Sequence, residues 1–159
     1  MEGILRQVWE GITYVSQKSP SGQCLDILDY GCGPSPVVAP LLSYHGHRVT
    51  SYDPYFAPIT LRGLYDLILC IEVAEHFKEP RKEFIQMATL LKEGGFLAIH
   101  THRVPEEDED FAGWWYKEDT THRVFYSGTA MDVLSSCMGV SLVGQPEENL
   151  WLFQRPFRF

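Results

Sequence analysis

Glu72, Glu75 and His76 stand at i, i+3 and i+4 directly after the apolar run Tyr65-Asp66-Leu67-Ile68-Leu69-Cys70-Ile71. On a helical turn that spacing puts all three side chains on one face. Two carboxylates and an imidazole, joined by a distant histidine, can hold a divalent cation, and a cation beside a substrate hydroxyl lowers its pKa. Without a metal, His76 can itself take the proton as a general base. A plainer reading stands beside both: the carboxylate caps a helix and the imidazole meets only protein. His100 and His102 alternate at the end of another apolar stretch, Phe96-Leu97-Ala98-Ile99, and so share a face at a strand end.

A second group of residues lies earlier in the chain. Leu25-Asp26-Ile27-Leu28-Asp29-Tyr30 runs into Gly31-Cys32-Gly33-Pro34-Ser35-Pro36, and Asp53 follows twenty residues beyond Gly33. Glycines after a strand let the backbone take positive φ and approach a ligand closely. A carboxylate at the end of the next strand is placed to accept both hydroxyls of a ribose. A dinucleotide would need a small third residue and free N–H groups for its pyrophosphate. Pro36 stands at that position, and with Pro34 it removes two amide donors. A ligand with a ribose, an ammonium, a carboxylate and a sulfonium but no phosphate suits the loop and Asp29 better, and S-adenosylmethionine is such a ligand.

The elements that must position these residues follow from pattern. Ile4, Val8, Ile12 and Val15, with Leu5 and Trp9 beside them, give residues 3–17 the stripe of a packing helix, and Ser19-Pro20-Ser21-Gly22 ends it. Ser35 as N-cap and Pro36 as first helical residue predict a helix from Val37 to Tyr44. His47 to Tyr52 reads as a second strand, and the continuous apolar run 65–71 as a strand buried on both faces of a parallel sheet. A helix from Pro80 buries Phe84, Met87, Ala88 and Leu91 and ends at Gly94-Gly95 in a left-handed cap. Residues 103–120, with the acidic run Glu106 to Asp110 before Phe111, Trp114, Trp115 and Tyr116, form a long excursion that could serve as a lid. Ser127 caps a helix to about Met138, and 140–143 and 150–154 close the chain as antiparallel strands. Strands alternating with helices predict an α/β doubly wound, mostly parallel sheet with an antiparallel C-terminal edge strand.

In order and spacing these residues resemble the class I S-adenosylmethionine-dependent methyltransferases over most of the chain. Leu28-Asp29-Tyr30-Gly31-Cys32-Gly33 resembles the family's first motif, and Tyr52-Asp53 its ribose-binding acid. Tyr65 to Phe77 resembles the fourth strand and its loop, and Leu90-Leu91-Lys92-Glu93-Gly94-Gly95 the "LLKPGG" turn, with Glu93 for proline. Trp115 to His122 is similar to a "D-x-T-H" segment of one bacterial subgroup. The resemblance implies a Rossmann-like methyltransferase fold, and a cofactor site of Asp29, Gly31, Cys32, Gly33 and Asp53 with Cys70, Ile71 and Glu72 on its far side. The E-x-x-E-H pattern resembles metal-assisted O-methyltransferases of the ubiquinone-biosynthesis type. It implies His76 and His122 as catalytic residues, or Glu72, Glu75, His76 and His122 as ligands of a divalent metal. Only twelve residues, Pro54 to Tyr65, occupy the place of the family's usual helix and third strand, so the sheet is expected to be trimmed there. The expected activity is methyl transfer to a small-molecule acceptor, most simply an oxygen nucleophile. A non-catalytic cofactor-binding module and a nicotinamide-dependent oxidoreductase are the alternatives.

Composition sets the outer limits. The chain has 159 residues, 45% of them hydrophobic, which suits a single domain at 1–159 with a core of its own. Within it, an N-terminal helix at 1–20, a cofactor-binding half at 21–78 and a C-terminal half are expected. Twenty-one acidic against 13 basic residues give a net charge of −8, which disfavours nucleic acid as a partner. No run is apolar enough for a membrane span. Cys24, Cys32, Cys70 and Cys137 have no paired spacing and read as reduced thiols of a cytoplasmic protein.

Overall fold

The computed structural model describes residues 2–18 and 23–158, without the side chains of residues 2–5, 7, 8, 16 and 18. The side chains of Ile4, Leu5 and Val8 and the expected break at 19–22 therefore lie outside the described residues. Helix α1 spans Glu2–Lys18 and buries Ile12 and Val15. Strand β1 (Asp26–Tyr30), helix α2 (Val38–Tyr44), strand β2 (Arg48–Tyr52) and strand β3 (Tyr65–Ile71) follow. Then come helix α3 (Pro80–Thr89), strand β4 (Leu91–His100), the short helix α4 (Asp108–Ala112), helix α5 (Gly128–Met138) and strands β5 (Ser141–Glu147) and β6 (Leu150–Gln154).

The six strands form one sheet in the order β2-β1-β3-β4-β6-β5. The first four are mutually parallel, and β6 runs antiparallel to both β4 and β5. The C-terminal pair is antiparallel as the sequence suggests. The last strand inserts between β4 and β5, which leaves the edge to β5. This is the mostly parallel, Rossmann-like sheet of the expectation, with β2 as the other edge. Residues 54–64 add no helix or strand, so the trimming read from their length is present.

Period-two alternation divides the core between the two faces of the sheet. Leu28, Tyr30, Ile68, Cys70, Leu97 and Ile99 pack with Phe84 and Met87 of α3 and Met131 of α5. Ile27, Leu67, Leu69 and Ala98 pack on the other side with Ile12 and Val15 of α1 and Val38 and Leu42 of α2. Leu67, Ile68, Leu69 and Cys70 are all fully buried, which is why β3 reads as an unbroken apolar run. Each large aliphatic side chain so buried stabilises the fold by about 1.5–3 kcal/mol.

Two local expectations change. Helix α2 starts at Val38, not Val37, and neither Ser35 nor Val37 supplies a side-chain cap. A helix with Pro36 as its first residue would carry Pro40 in its fifth position, where an N–H is needed. Starting at Val38 places Pro40 in the first turn, where none is missed. Helix α3 ends at Thr89, with Leu90 as its C-cap, rather than at the glycine pair. Gly94, at φ 73°, and Gly95 lie within β4 instead, where pairing slips from Tyr65↔Leu91 to Leu67↔Phe96. A Cβ on Gly94 would collide with the ring of Phe157, and one on Gly95 would stand 3.0 Å from the Tyr65 carbonyl oxygen.

Candidate active site

Sheet order reverses at β1: the chain leaves it for β2 on one side and returns to β3 on the other. The crevice beyond the carboxyl ends of β1 and β3 is where open α/β sheets bind ligands. Asp29 and the glycine loop occupy one lip, and Glu72 to His76 the other.

At the first lip, Gly31 and Cys32 donate their N–H groups to the Tyr52 carbonyl at 2.7 and 3.0 Å, which folds the loop back over β2. Gly31 (φ 86°) has a specific reason to be glycine: a Cβ there would overlap the methyls of Val73, which closes down from the opposite lip. Gly33 (φ 66°) has no atom within 4 Å of a Cβ position, so its surface is open to a ligand. Asp53 Oδ2 accepts from Gly33 N at 3.1 Å, and Oδ1 accepts from Tyr55 N and Phe56 N at 2.8 and 3.0 Å. That carboxylate thus ties the glycine loop to the turn after β2 and retains acceptor capacity on Oδ2.

Asp29 is 5% exposed and its Oδ2 has no hydrogen-bond partner. Burial pushes its pKa up from 3.8 to about 6. A buried carboxylate left without a partner fits a cationic ligand group such as the ammonium of S-adenosylmethionine. Burial also pushes up the thiols of Cys32 and Cys70, so both stay uncharged. The Cys70 side chain lies wholly within the core, which leaves its backbone as the part turned to the strand end.

At the second lip the chain does not turn as the spacing suggests. Glu72 has φ 55°, the one non-glycine left-handed residue among those described, and the 3-10 turn begins only at Ala74. Glu72 therefore does not share the helical face of Glu75 and His76 and stays out of their cluster with His122. Its Oε1 lies 2.5 Å from His100 Nδ1 and its Oε2 lies 3.3 Å from Tyr116 Oη. Burial acts to raise the Glu72 pKa, but His100, His102 and Tyr116 outweigh it and hold the carboxyl below its ordinary value.

Glu75, His76 and His122 do converge, each offering a ligand atom within 4.8 Å of the others. Glu75 is fully buried, and its Oε1 accepts from Tyr116 Oη at 2.5 Å while Oε2 has no partner. His76 Nδ1 lies 3.1 Å from the Thr121 carbonyl and His122 Nδ1 lies 2.7 Å from the Tyr116 carbonyl. A carbonyl only accepts, so both Nδ1 atoms carry the proton and both Nε2 lone pairs are left for a ligand. Imidazoles fixed in this way by a backbone carbonyl, together with a carboxylate, are a donor set suited to a divalent cation. Of the four residues expected as ligands, Glu75, His76 and His122 come together, while the left-handed backbone at Glu72 takes that carboxylate to His100.

The end of the segment read as an excursion, 103–120, and the residues just after it build much of this lip. Asp119 Oδ1 accepts from Thr121 N and Oγ1 at 2.9 and 2.6 Å, a tight turn that presents His122 toward the cluster. Arg123 N and Val124 N donate to the Glu75 carbonyl at 2.7 and 3.2 Å, and Tyr126 Oη donates to the Ala74 carbonyl at 2.8 Å. Tyr116 is 1% exposed and joins Glu72, Glu75 and Thr101 through one hydroxyl, whose pKa burial and Glu75 drive upward. The sequence places Tyr116 among the aromatics of the excursion 103–120. Nothing in its local pattern marks it as the hub, since its partners lie 15, 41 and 44 residues away.

A family model described as a methyltransferase domain matches residues 4–142. The chain belongs to that methyltransferase family. Methyl transfer from S-adenosylmethionine is the activity that membership carries, and the nicotinamide alternative falls with it. No curated protein matches the methyltransferase closely enough to count as a relative. Solved structures share its fold at low identity. An O-methyltransferase family 2 protein from Planctomyces limnophilus, in complex with apigenin, is 15% identical with a TM-score of 0.62; the match covers 96% of this chain and 60% of that one. The N-methyltransferase NodS from Bradyrhizobium japonicum is 20% identical with a TM-score of 0.57, over 96% and 98% of the two chains. A Burkholderia thailandensis 1,6-didemethyltoxoflavin-N1-methyltransferase, with bound 1,6-didemethyltoxoflavin and S-adenosylhomocysteine, is 14% identical with a TM-score of 0.63, over 96% and 82%. No described helix of the methyltransferase is long and apolar enough to cross a membrane.

Proposed function

We propose that this methyltransferase methylates an oxygen of a small, uncharged acceptor, with Glu75, His76 and His122 holding a divalent cation at the acceptor end of the crevice. The observation that carries the reading is the convergence of one buried carboxylate and two imidazoles with free Nε2 atoms beside the strand ends.

S-adenosylmethionine, when bound, supplies a methyl group on a sulfonium. The residues of this chain then have two tasks, alignment of the nucleophile and removal of its proton. In this reading Asp29 holds the ammonium, Asp53 the ribose hydroxyls, and the Gly31-Cys32-Gly33 backbone follows the ligand between them. Cys70 and Ile71 line the far side by backbone, with Glu72 beside them. The cation, when bound, supplies charge that lowers the pKa of an acceptor hydroxyl. Glu75 contributes a negative ligand held in place by Tyr116, and the two imidazoles contribute neutral ones held by Thr121 and Tyr116.

A second reading keeps the same residues without metal. His76 is 40% exposed at its side chain with Nε2 free, which suits it to take the acceptor proton directly. The acceptor is a small molecule in either case, and Trp115, 66% exposed beside His102, offers it an aromatic wall. The apigenin complex of the Planctomyces protein supports a planar hydroxylated acceptor. The net charge of −8 weighs against nucleic acid, and four unpaired thiols suit the cytoplasm.

The test is turnover of methyl-labelled S-adenosylmethionine with a panel of phenols, catechols and amines, with Mg²⁺, Mn²⁺ or a chelator. Hydroxyl acceptors are expected to be labelled, with loss of roughly 10-fold or more in His76→Ala. A similar loss with chelator selects the metal reading, and indifference to chelator the second one. Labelling confined to amines, or a rate indifferent to His76→Ala, overturns both.

A further inference from the structure

Neither step assigned above uses the side chain of His100, although it is 2% exposed at the carboxyl end of β4, next to the left-handed Glu72. Left-handed backbone is unfavourable for a residue with a Cβ and persists where surrounding contacts over-determine it. At Glu72 those contacts come from two residues. His100 receives the Glu72 N–H on its carbonyl oxygen at 2.9 Å and sets its ring Nδ1 2.5 Å from Oε1. Tyr116 reaches Oε2 at 3.3 Å while donating to Glu75 at 2.5 Å. The ring contact is close but off the N–H axis: Oε1, Nδ1 and Nε2 all lack an aligned partner. The contact clamps the Glu72 carboxylate against the buried edge of the imidazole, which with the backbone hydrogen bond fixes the direction of the chain there.

The direction of the chain after Glu72 determines where Glu75 and His76 stand, because only Val73 separates it from the 3-10 turn that carries them. We propose that His100 is a positioning residue: through Glu72 and Tyr116 it holds the turn Ala74–His76 so that Glu75 and His76 meet His122. This rests on the reading of that cluster as the acceptor site, but it concerns the metal-free protein.

The experiment compares wild type, His100→Leu, His100→Asn, Glu72→Gly and the double variant Glu72→Gly/His100→Leu. The Hε1 resonances of His76 and His122 are recorded by NMR on the metal-free protein, then Mn²⁺ affinity by calorimetry. His100→Leu removes the clamp at similar bulk and is expected to displace both resonances and weaken Mn²⁺ binding roughly 10-fold or more, as loss of a residue that orients metal ligands does. His100→Asn keeps an N–H donor near Nδ1 and is expected to restore both readouts. If His100 acts through Glu72, His100→Leu adds nothing in the Glu72→Gly background.

Unmoved resonances in folded His100→Leu, or additive effects in the double variant, overturn the proposal. So does an Asn variant that fails like Leu while keeping its fold. Should wild type bind no Mn²⁺, the metal reading of the site falls, and the metal-free spectra alone still judge the clamp.

Discussion

Asp29 gives the most quantitative consequence of the structure. Its carboxyl is 5% exposed, has no partner on Oδ2, and is raised by burial from 3.8 to about 6. The folded protein therefore keeps this proton to about pH 6, whereas the unfolded chain gives it up near 3.8. Between those values the folded state binds the extra proton, so raising the pH destabilises the fold. At about 1.36 kcal/mol per pH unit, ionised Asp29 costs on the order of 3 kcal/mol above pH 6, and nothing below about pH 4. Asp29→Asn removes the charge and keeps the shape. It is expected to raise stability at pH 7.5 by about 1–3 kcal/mol, or roughly 3 °C in Tm per kcal/mol, with the gain fading toward pH 4. The assay is urea and thermal unfolding of both proteins from pH 4 to 8. A variant less stable than wild type at pH 7.5, or a difference that does not change with pH, would refute the reasoning, because it would mean the carboxylate already has a partner. A cationic ligand group beside Asp29 would reverse the cost, so the same substitution should weaken S-adenosylhomocysteine binding while it stabilises the free protein.

Other outcomes follow from single contacts. Gly31→Ala places a Cβ against Val73 at a φ of 86° and should destabilise the fold by about 2 kcal/mol or more, with Val73→Ala recovering part of the loss in thermal unfolding. Tyr116→Phe removes the donor to the buried Glu75 carboxylate and should cost about 1–3 kcal/mol in urea unfolding at pH 7.5; an unchanged midpoint would contradict the role given to that hydroxyl. Asp26, held near a pKa of about 2 first by Arg48 and then by Lys92, contributes stability above pH 3.8 that is lost as pH falls through about 2. Asp26→Asn should therefore flatten the acid limb of the stability curve, and an unaltered limb would discount that pair.

Much of this site could be read from the sequence because its signals are local. Asp29 before Gly31 and Gly33 is a strand-turn signal, and the run 65–71 announces a doubly buried strand. The shortness of 54–65 leaves no room for a helix and strand, and none is there. What could not be read depends on backbone direction at one residue. The i, i+3, i+4 face of Glu72, Glu75 and His76 presumes a helical turn, but Glu72 is left-handed and its carboxylate goes to His100. The position of Gly94-Gly95 after a helix resembles a cap, yet these residues relieve a slip in strand pairing and make way for Phe157, 62 residues later than Gly95. The partners of Tyr116 and His100 are not legible in the sequence, because they come together only when β3, β4 and the segment after α4 are folded together. Ser127, by contrast, caps α5 as its local pattern requires, accepting from Ala130 N at 3.1 Å.

The most direct test of the account is calorimetric titration of the protein with S-adenosylhomocysteine and with NAD, alongside the variant Asp53→Ala. The account predicts binding of S-adenosylhomocysteine and not NAD, weakened roughly 10-fold or more when the Asp53 carboxylate is removed. Failure of the wild type to bind S-adenosylhomocysteine, or binding untouched by Asp53→Ala, would contradict the placement of the cofactor across the glycine loop.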